Sequence, residues 1–216
     1  KIMYLDIDAH HCDGVQEAFY SDPTVLKVSF HESGETLFPG TGYINELGGG
    51  EGKGYNINIP LPRQTYDEPY LLTFNEIVPK LMKAYKPELI IMQCGVDAHF
   101  SDPLTGLRLK TNAYGDIAKK IHELVHEYCD GNLVFLGGGG YEVTVVPRAW
   151  VLMLSKIAEL DIDNNIPIEW IELCKKTIGR EPSKELLDNV EVVDEKTKKI
   201  VYKIVERNLG LIKIPH

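Results

Sequence analysis

The sequence predicts an α/β fold in which a parallel sheet is sandwiched by helices. Three observations carry this. Five short apolar, β-branched runs alternate with long amphipathic segments. The runs are near-continuous in apolar character, as strands buried on both faces are. Polar residues gather where the runs end, which is where open α/β sheets bind ligands.

The elements follow in order. Ile2–Leu5 is the first strand and leads into Asp6-Ile7-Asp8-Ala9-His10-His11-Cys12-Asp13-Gly14. Val25–Phe30 and Asn56–Ile59 are the next two strands. The glycine-rich stretch Gly48–Gly54 between them is a flexible loop. Leu47 stands where a Walker A needs its first glycine, and Gly54 follows Lys53 where Ser or Thr is needed. Glu68–Tyr85 is an amphipathic helix, Glu88–Cys94 a strand, Tyr114–Tyr128 a helix, Asn132–Leu136 the fifth strand and Pro147–Leu160 a third helix. Two charged segments, Ile168–Lys176 and Asp194–Arg207, complete the helices.

Composition narrows the function. A chain of 216 residues buries a sizeable core. A net charge of −9 with no basic cluster argues against nucleic-acid binding. No apolar run approaches the ~20 residues of a membrane span, and no signal peptide is evident. Four cysteines without CxxC spacing (Cys12, Cys94, Cys129, Cys174) argue against a zinc ribbon or disulfide framework and fit a cytoplasmic protein.

Chemistry concentrates at three strand ends. Side chains alternate along a strand, so Asp6, Asp8 and His10 are expected on one face. Asp97 follows the fourth strand, and Gly137–Tyr141 the fifth. Catalytic zinc takes three protein ligands and keeps one open position, and Asp8, His10 and Asp97 supply such a set. An isolated Asp-x-His pair is more simply a hydrogen-bonded loop end; Asp97 at a second strand end shifts the balance. The tetraglycine allows close backbone approach to a metal or substrate. His31 and His99 read as loop or rim residues, His122 and His126 as a solvated helix face, and Cys12 as a small buried residue in a turn.

The segments DIDAHHCDG, FPGTG (Phe38–Gly42), QCGVDAHFSDPL (Gln93–Leu104) and LGGGGY (Leu136–Tyr141) stand in the order and spacing of the histone deacetylase family. HHCDGVQEAFY most resembles its prokaryotic acetoin-utilization branch. The resemblance extends to about Leu154 and implies a single arginase/deacetylase-like domain over residues 1–216. It also implies zinc-dependent hydrolysis of acetyl amides, on acetyl-lysine protein or a small acetylated amine. By motif position Asp8, His10 and Asp97 match the zinc ligands, with Fe2+ an alternative ion. Tyr141 matches the tyrosine that polarises the substrate carbonyl. Phe38, Leu104 and Gly139 match the substrate tunnel. Asp6, Asp8, His10, Ser29 and Phe30 match a monovalent-cation (K+) site, and a second such site falls near Phe19, Asp22, Val25 and Tyr55. A two-manganese, arginase-like centre is disfavoured, because Cys12 and Gly95 stand where bridging carboxylates belong.

One departure stands out. The family's general base and acid are adjacent histidines upstream of the first motif, and only five residues precede Asp6. The chain is therefore expected to be a C-terminal portion, inactive or nearly so alone. Asp6 and Asp13, matching the carboxylates that orient those histidines, would lack partners, and the first strand would lack the βα units beside it. The alternative is a metal-binding, catalytically silent module. Nothing in the sequence sets an oligomeric state.

Overall fold

The computed structural model describes residues 1–214. Five strands, β1 (Ile2–Asp6), β2 (Val25–Glu32), β3 (Asn56–Leu61), β4 (Leu89–Gln93) and β5 (Leu133–Leu136), form one sheet in the order β3-β2-β1-β4-β5. Every pair is parallel. The first strand is central and lacks no neighbour: β2 and β4, both later in the chain, occupy its two edges.

Register corrects the reading of the strands as continuously apolar. Met3, Leu5, Leu26, Val28, Phe30, Ile57, Ile59, Ile90 and Met92 share one face, which is apolar except for Glu32 at the end of β2. The other face carries Tyr4, Asp6, Lys27, Ser29, His31, Asn56, Asn58 and Gln93. The strands thus alternate with a period of two. Most of these polar residues are nonetheless buried, because loops cover that face. Gln16 Oε1, for example, accepts from the amides of both Asn56 (2.6 Å) and Asn58 (2.8 Å).

The apolar face packs on α2 (Asp67–Tyr85) and α3 (Thr111–Tyr128), where Phe30 meets Tyr70 and Phe74 at ring-centroid separations of 5.6 and 5.4 Å. α4 (Val146–Ile157) packs on α3, and its Pro147 sits in the first turn, where a missing N–H costs nothing. α5 (Ile168–Ile178) stops at Gly179, which adopts φ +73°. α6 (Glu195–Leu209) is capped by Asp194, which accepts from the Lys196 and Thr197 amides, and sends Val201 and Val205 into the core. A short helix, α1 (Asp13–Ala18), was not expected. It makes under two turns and buries no residue, so it leaves no amphipathic period to read. Among the described residues no helix is long and apolar enough to cross a membrane.

Candidate metal and catalytic site

The site is built where β1 stops. The ladder ends at Asp6, and strand alternation is not what brings Asp8 and His10 together. Asp6 Oδ1 accepts from the Asp8 amide and Asp8 Oδ1 from the His10 amide, both at 2.9 Å. These are two successive turns closed by an aspartate on the backbone two residues ahead, which bend the chain out of extended form. The bend brings His10 Nδ1 to 3.1 Å from Asp8 Oδ1 and 2.8 Å from Asp97 Oδ2. The three donor atoms of Asp8, His10 and Asp97 lie within 4.8 Å of one another.

Both carboxylates are held by hydrogen bonds, and each turns one oxygen toward the imidazole. Asp97 Oδ1 accepts from the Ala9 amide (2.7 Å), leaving Oδ2 toward His10. Asp8 Oδ2 accepts from Gln93 Nε2 (2.9 Å) and the Gly139 amide (2.8 Å), leaving Oδ1 toward His10. Supporting contacts of this kind fix the orientation of metal ligands. The electrostatics favour a cation. Hydrogen bonds donated to Asp8 and Asp97 push the His10 pKa up to about 10. Burial raises Asp97, whereas on Asp8 burial is outweighed by hydrogen bonds from His10, Asp97 and Gln93, which hold it low. Two buried carboxylates thus draw a proton onto the imidazole between them, and a divalent cation competes for the same three atoms. An imidazole and two carboxylates are a donor set that suits zinc.

Glycines make the room. A Cβ on Gly139 would stand 2.5 Å from Asp97 Oδ2 and 2.6 Å from Asp8 Oδ2, and one on Gly95 would collide with the Asp8 carboxylate. Position 95 therefore has no space for a bridging carboxylate. Among the described residues the converging donor atoms are those of Asp8, His10 and Asp97, and Cys12 is not one of them.

Tyr141 closes the site, its ring edge-to-face with His10 at a centroid separation of 6.2 Å. Its amide donates to Asp102 Oδ2 (2.9 Å), while Asp102 Oδ1 accepts from the Leu104 amide (2.9 Å). Asp102 thus ties the tyrosine turn to the loop after β4. It stands inside QCGVDAHFSDPL, yet only its neighbours were singled out from the sequence. Gln93 was passed over in the same motif. Phe38, Leu104 and Tyr141 are exposed, at 79%, 55% and 48%. Burial and the carboxylates of Asp97, Asp8 and Asp102 raise the Tyr141 pKa, so its hydroxyl keeps its proton at neutral pH.

Other expectations need correction. His31 and His99 are not rim residues but fully buried. His31 Nε2 donates to the Gly42 carbonyl (2.9 Å), leaving Nδ1 to accept from the Ser29 hydroxyl (2.8 Å). His99 joins Asp188 at 2.9 Å, and Asp188 also takes Arg148 (2.6 Å) and the Thr111 amide (2.9 Å). Asp6 does not lack partners: it accepts from the Tyr4 hydroxyl and the Asp8 amide, and burial raises its pKa to about 8. Asp13 is exposed and accepts from the Gly14 amide in its own turn. His122 stays on its helix near Glu159, with His126 beside it.

The two cation sites fare differently. Asp6 and Ser29 are register partners at the strand ends, next to the Asp8–His10 bend, while Phe30 turns its ring into the core on the opposite face. In the second set, Phe19, Asp22, Val25 and Tyr55, the carbonyls of Phe19 and Asp22 face the side chain of Lys27. Its ammonium donates to the carbonyls of Phe19 (2.6 Å) and Asp22 (3.4 Å).

Comparison with known proteins bears on the family and the fold. The histone deacetylase domain matches residues 1–157. The acetoin utilization protein AcuC of Bacillus subtilis (strain 168) is 45% identical over 177 residues, 82% of this chain and 46% of that protein. A probable deacetylase of Archaeoglobus fulgidus is 44% identical over 163 residues, 75% of this chain and 45% of that one. The crystal structure of an HDAC homolog from Aquifex aeolicus superimposes with a TM-score of 0.82 at 32% identity, over 97% of this chain and 57% of that one. An HDAC homolog complexed with SAHA gives 0.81 at the same identity. The chain spans about half the length of the curated relatives it matches. With four ordered motifs, a matching domain and a shared sheet, the chain belongs to the histone deacetylase family.

Proposed function

We propose that this chain carries the metal-binding and carbonyl-polarising half of a deacetylase that hydrolyses acetyl amides of lysine side chains or small acetylated amines. The observation that carries the reading is the juxtaposition of the Asp8–His10–Asp97 cluster with Tyr141. Related proteins named as deacetylases, and an HDAC homolog complexed with SAHA, support the substrate class. A reducing, cytoplasmic setting accords with four free cysteines.

Asp8, His10 and Asp97 would hold the metal, zinc or alternatively iron(II). A bound zinc ion supplies positive charge beside the amide oxygen and lowers the pKa of water toward ~7. Tyr141 donates its hydroxyl proton in a hydrogen bond to the oxygen that becomes negative as the amide is attacked. Asp102, holding the Tyr141 amide, sets the direction of that donor. Asp6 and Ser29, beside the same bend, support the first K+ site. Phe38, Leu104 and Gly139 would border the acyl channel.

The described imidazoles are committed elsewhere. His10 faces the two carboxylates, His11 binds Thr41 and Gln16, His31 and His99 are buried, and His122 and His126 pair on α3. The reading therefore takes the general base and acid from a histidine pair carried by sequence other than these 216 residues. The test is deacetylase turnover of zinc-loaded protein of the relatives' length, with and without Tyr141→Phe. Loss of one such donor lowers kcat by about 10²–10³-fold. No turnover, or turnover indifferent to Tyr141, would leave the metal-binding, catalytically silent module as the better reading.

A further inference from the structure

We infer that the Lys27 ammonium is the resident cation of the Phe19–Asp22–Tyr55 site, and that this site takes no monovalent metal ion. Lys27 lies on the polar face of β2, and only 1% of its surface is exposed. A buried ammonium needs partners for its N–H groups, and it finds them in the carbonyls of Phe19 and Asp22. The Phe19 carbonyl also accepts from the Asp22 amide (3.1 Å), so both of its lone pairs are used. The Tyr55 carbonyl accepts from the backbone amide of the same Lys27 (3.0 Å). Three of the four residues expected around an ion are thus bonded to one lysine.

Charge agrees with geometry. The ammonium brings the single positive charge that K+ would bring. The Asp22 carboxylate, which accepts from the Thr24 amide and hydroxyl at 2.7 Å each, adds negative charge nearby without touching Nζ. K+ binds by replacing its hydration shell with oxygens of this kind, and here a covalently tethered cation has taken them. A tethered cation loses no translational freedom on binding, so it holds the α1–β2 connection at any salt composition. The inference is independent of the deacetylase reading, since it concerns a carbonyl cluster behind the sheet end rather than the triad.

The test removes the ammonium in two ways. Lys27→Ala opens the carbonyl cluster, and Lys27→Met fills the same channel without charge. Melting temperatures are compared in potassium chloride and choline chloride at equal ionic strength, and crystals of wild type and Lys27→Ala are soaked in rubidium chloride. The expected result is a potassium-dependent gain of about 3–5 °C in Lys27→Ala beyond that of wild type. Lys27→Met should show no such gain. A rubidium peak at the Phe19 and Asp22 carbonyls should appear only in Lys27→Ala. A rubidium ion there in wild type, with the lysine displaced, would overturn the inference. So would Lys27→Ala that gains nothing from potassium and binds no rubidium. If Lys27→Ala folds only in potassium, the inference is supported; if it folds in neither salt, the wild-type rubidium soak decides.

Discussion

Gly139→Ala should cripple metal binding while leaving the fold intact. The position is backbone-compatible with alanine, because Gly139 is not among the glycines of positive φ. Its obstruction is purely spatial. The added Cβ would stand 2.5 Å from Asp97 Oδ2 and 2.6 Å from Asp8 Oδ2, whereas ordinary contact begins at 3.4 Å. Both oxygens must then retreat by about 0.8–0.9 Å, on the repulsive wall of the contact potential. Metal–ligand distances tolerate only about ±0.2 Å, so the displacement exceeds the tolerance severalfold on two ligands at once. Asp8 is moreover anchored by the Gly139 amide itself, so pushing its carboxylate away also loosens the contact that aims it. Disturbing one supporting contact costs metal affinity 10–100-fold as a rule, and a loss of at least about 100-fold, ~2.8 kcal/mol, is expected here. The assay is zinc titration against a competing chelator, with melting curves of the metal-free proteins as a fold control. Gly14→Ala, where nothing lies within 4 Å of the added Cβ, serves as the neutral comparison. Gly139→Ala protein that binds zinc within a factor of two of wild type would refute the claim that this turn is packed against the ligands.

Further expectations follow from the same contacts. Asp97→Ala should abolish stoichiometric zinc binding, measured by elemental analysis after dialysis, and an unchanged stoichiometry would remove Asp97 from the ligand set. Asp188→Ala leaves Arg148 buried without its counter-charge and His99 without its partner. Breaking such a pair costs about 3–5 kcal/mol, read as a fall in the urea midpoint; a loss below ~1 kcal/mol would mean that the network is not closed as described. His31 should make an acid-sensitive contribution to stability. Burial, with His11 beside it, lowers its pKa to about 3, below the ~6.5 of an unfolded histidine. The unfolded chain therefore binds the extra proton, and the contribution, full above pH ~6.5, fades as pH falls toward 3. Because Asp6 and Asp97, with raised pKa values, titrate in the opposite sense, the measurement is a difference. The stability advantage of wild type over His31→Gln should shrink by about 2 kcal/mol between pH 6.5 and 5.0, and a constant advantage would show that folding does not lower the His31 pKa.

The Asp8–His10–Asp97 cluster was legible because metal chemistry restricts residue type. Only a few side chains bind zinc, and three of them stand at two strand ends where the sheet topology brings them together. What the sequence did not show is how they meet. Alternation along a strand would have placed Asp8 and His10 on one face, but the actual cause is a pair of aspartate-closed turns that begins at Asp6. A turn of this kind depends on which oxygen reaches which amide, and Asp-Ile-Asp-Ala-His reads equally well as the end of a strand.

Buried polar residues account for most of the remaining errors. His31 and His99 read as surface because histidine is a polar residue between apolar ones, and burial is decided by partners distant in the sequence. Asp188 lies 89 residues beyond His99, and Gly42, whose carbonyl accepts from His31, sits on a loop with no periodic signal. The same applies to β2, whose Val-Leu-Lys-Val-Ser-Phe-His-Glu is buried along its whole length although half of its residues are polar. A strand with one apolar and one polar face would ordinarily expose the polar one. Here that face is itself internal, lined by Asp6, Ser29, His31, Lys27 and Gln93, each held by a specific donor or acceptor. Such a layer contributes little net stability, since its hydrogen bonds replace bonds to water. It also tolerates few substitutions, because each missing partner leaves a buried group unsatisfied. The polar face of the sheet is thus the rigid footing on which the Asp6 turn, and through it the positions of Asp8 and His10, depends.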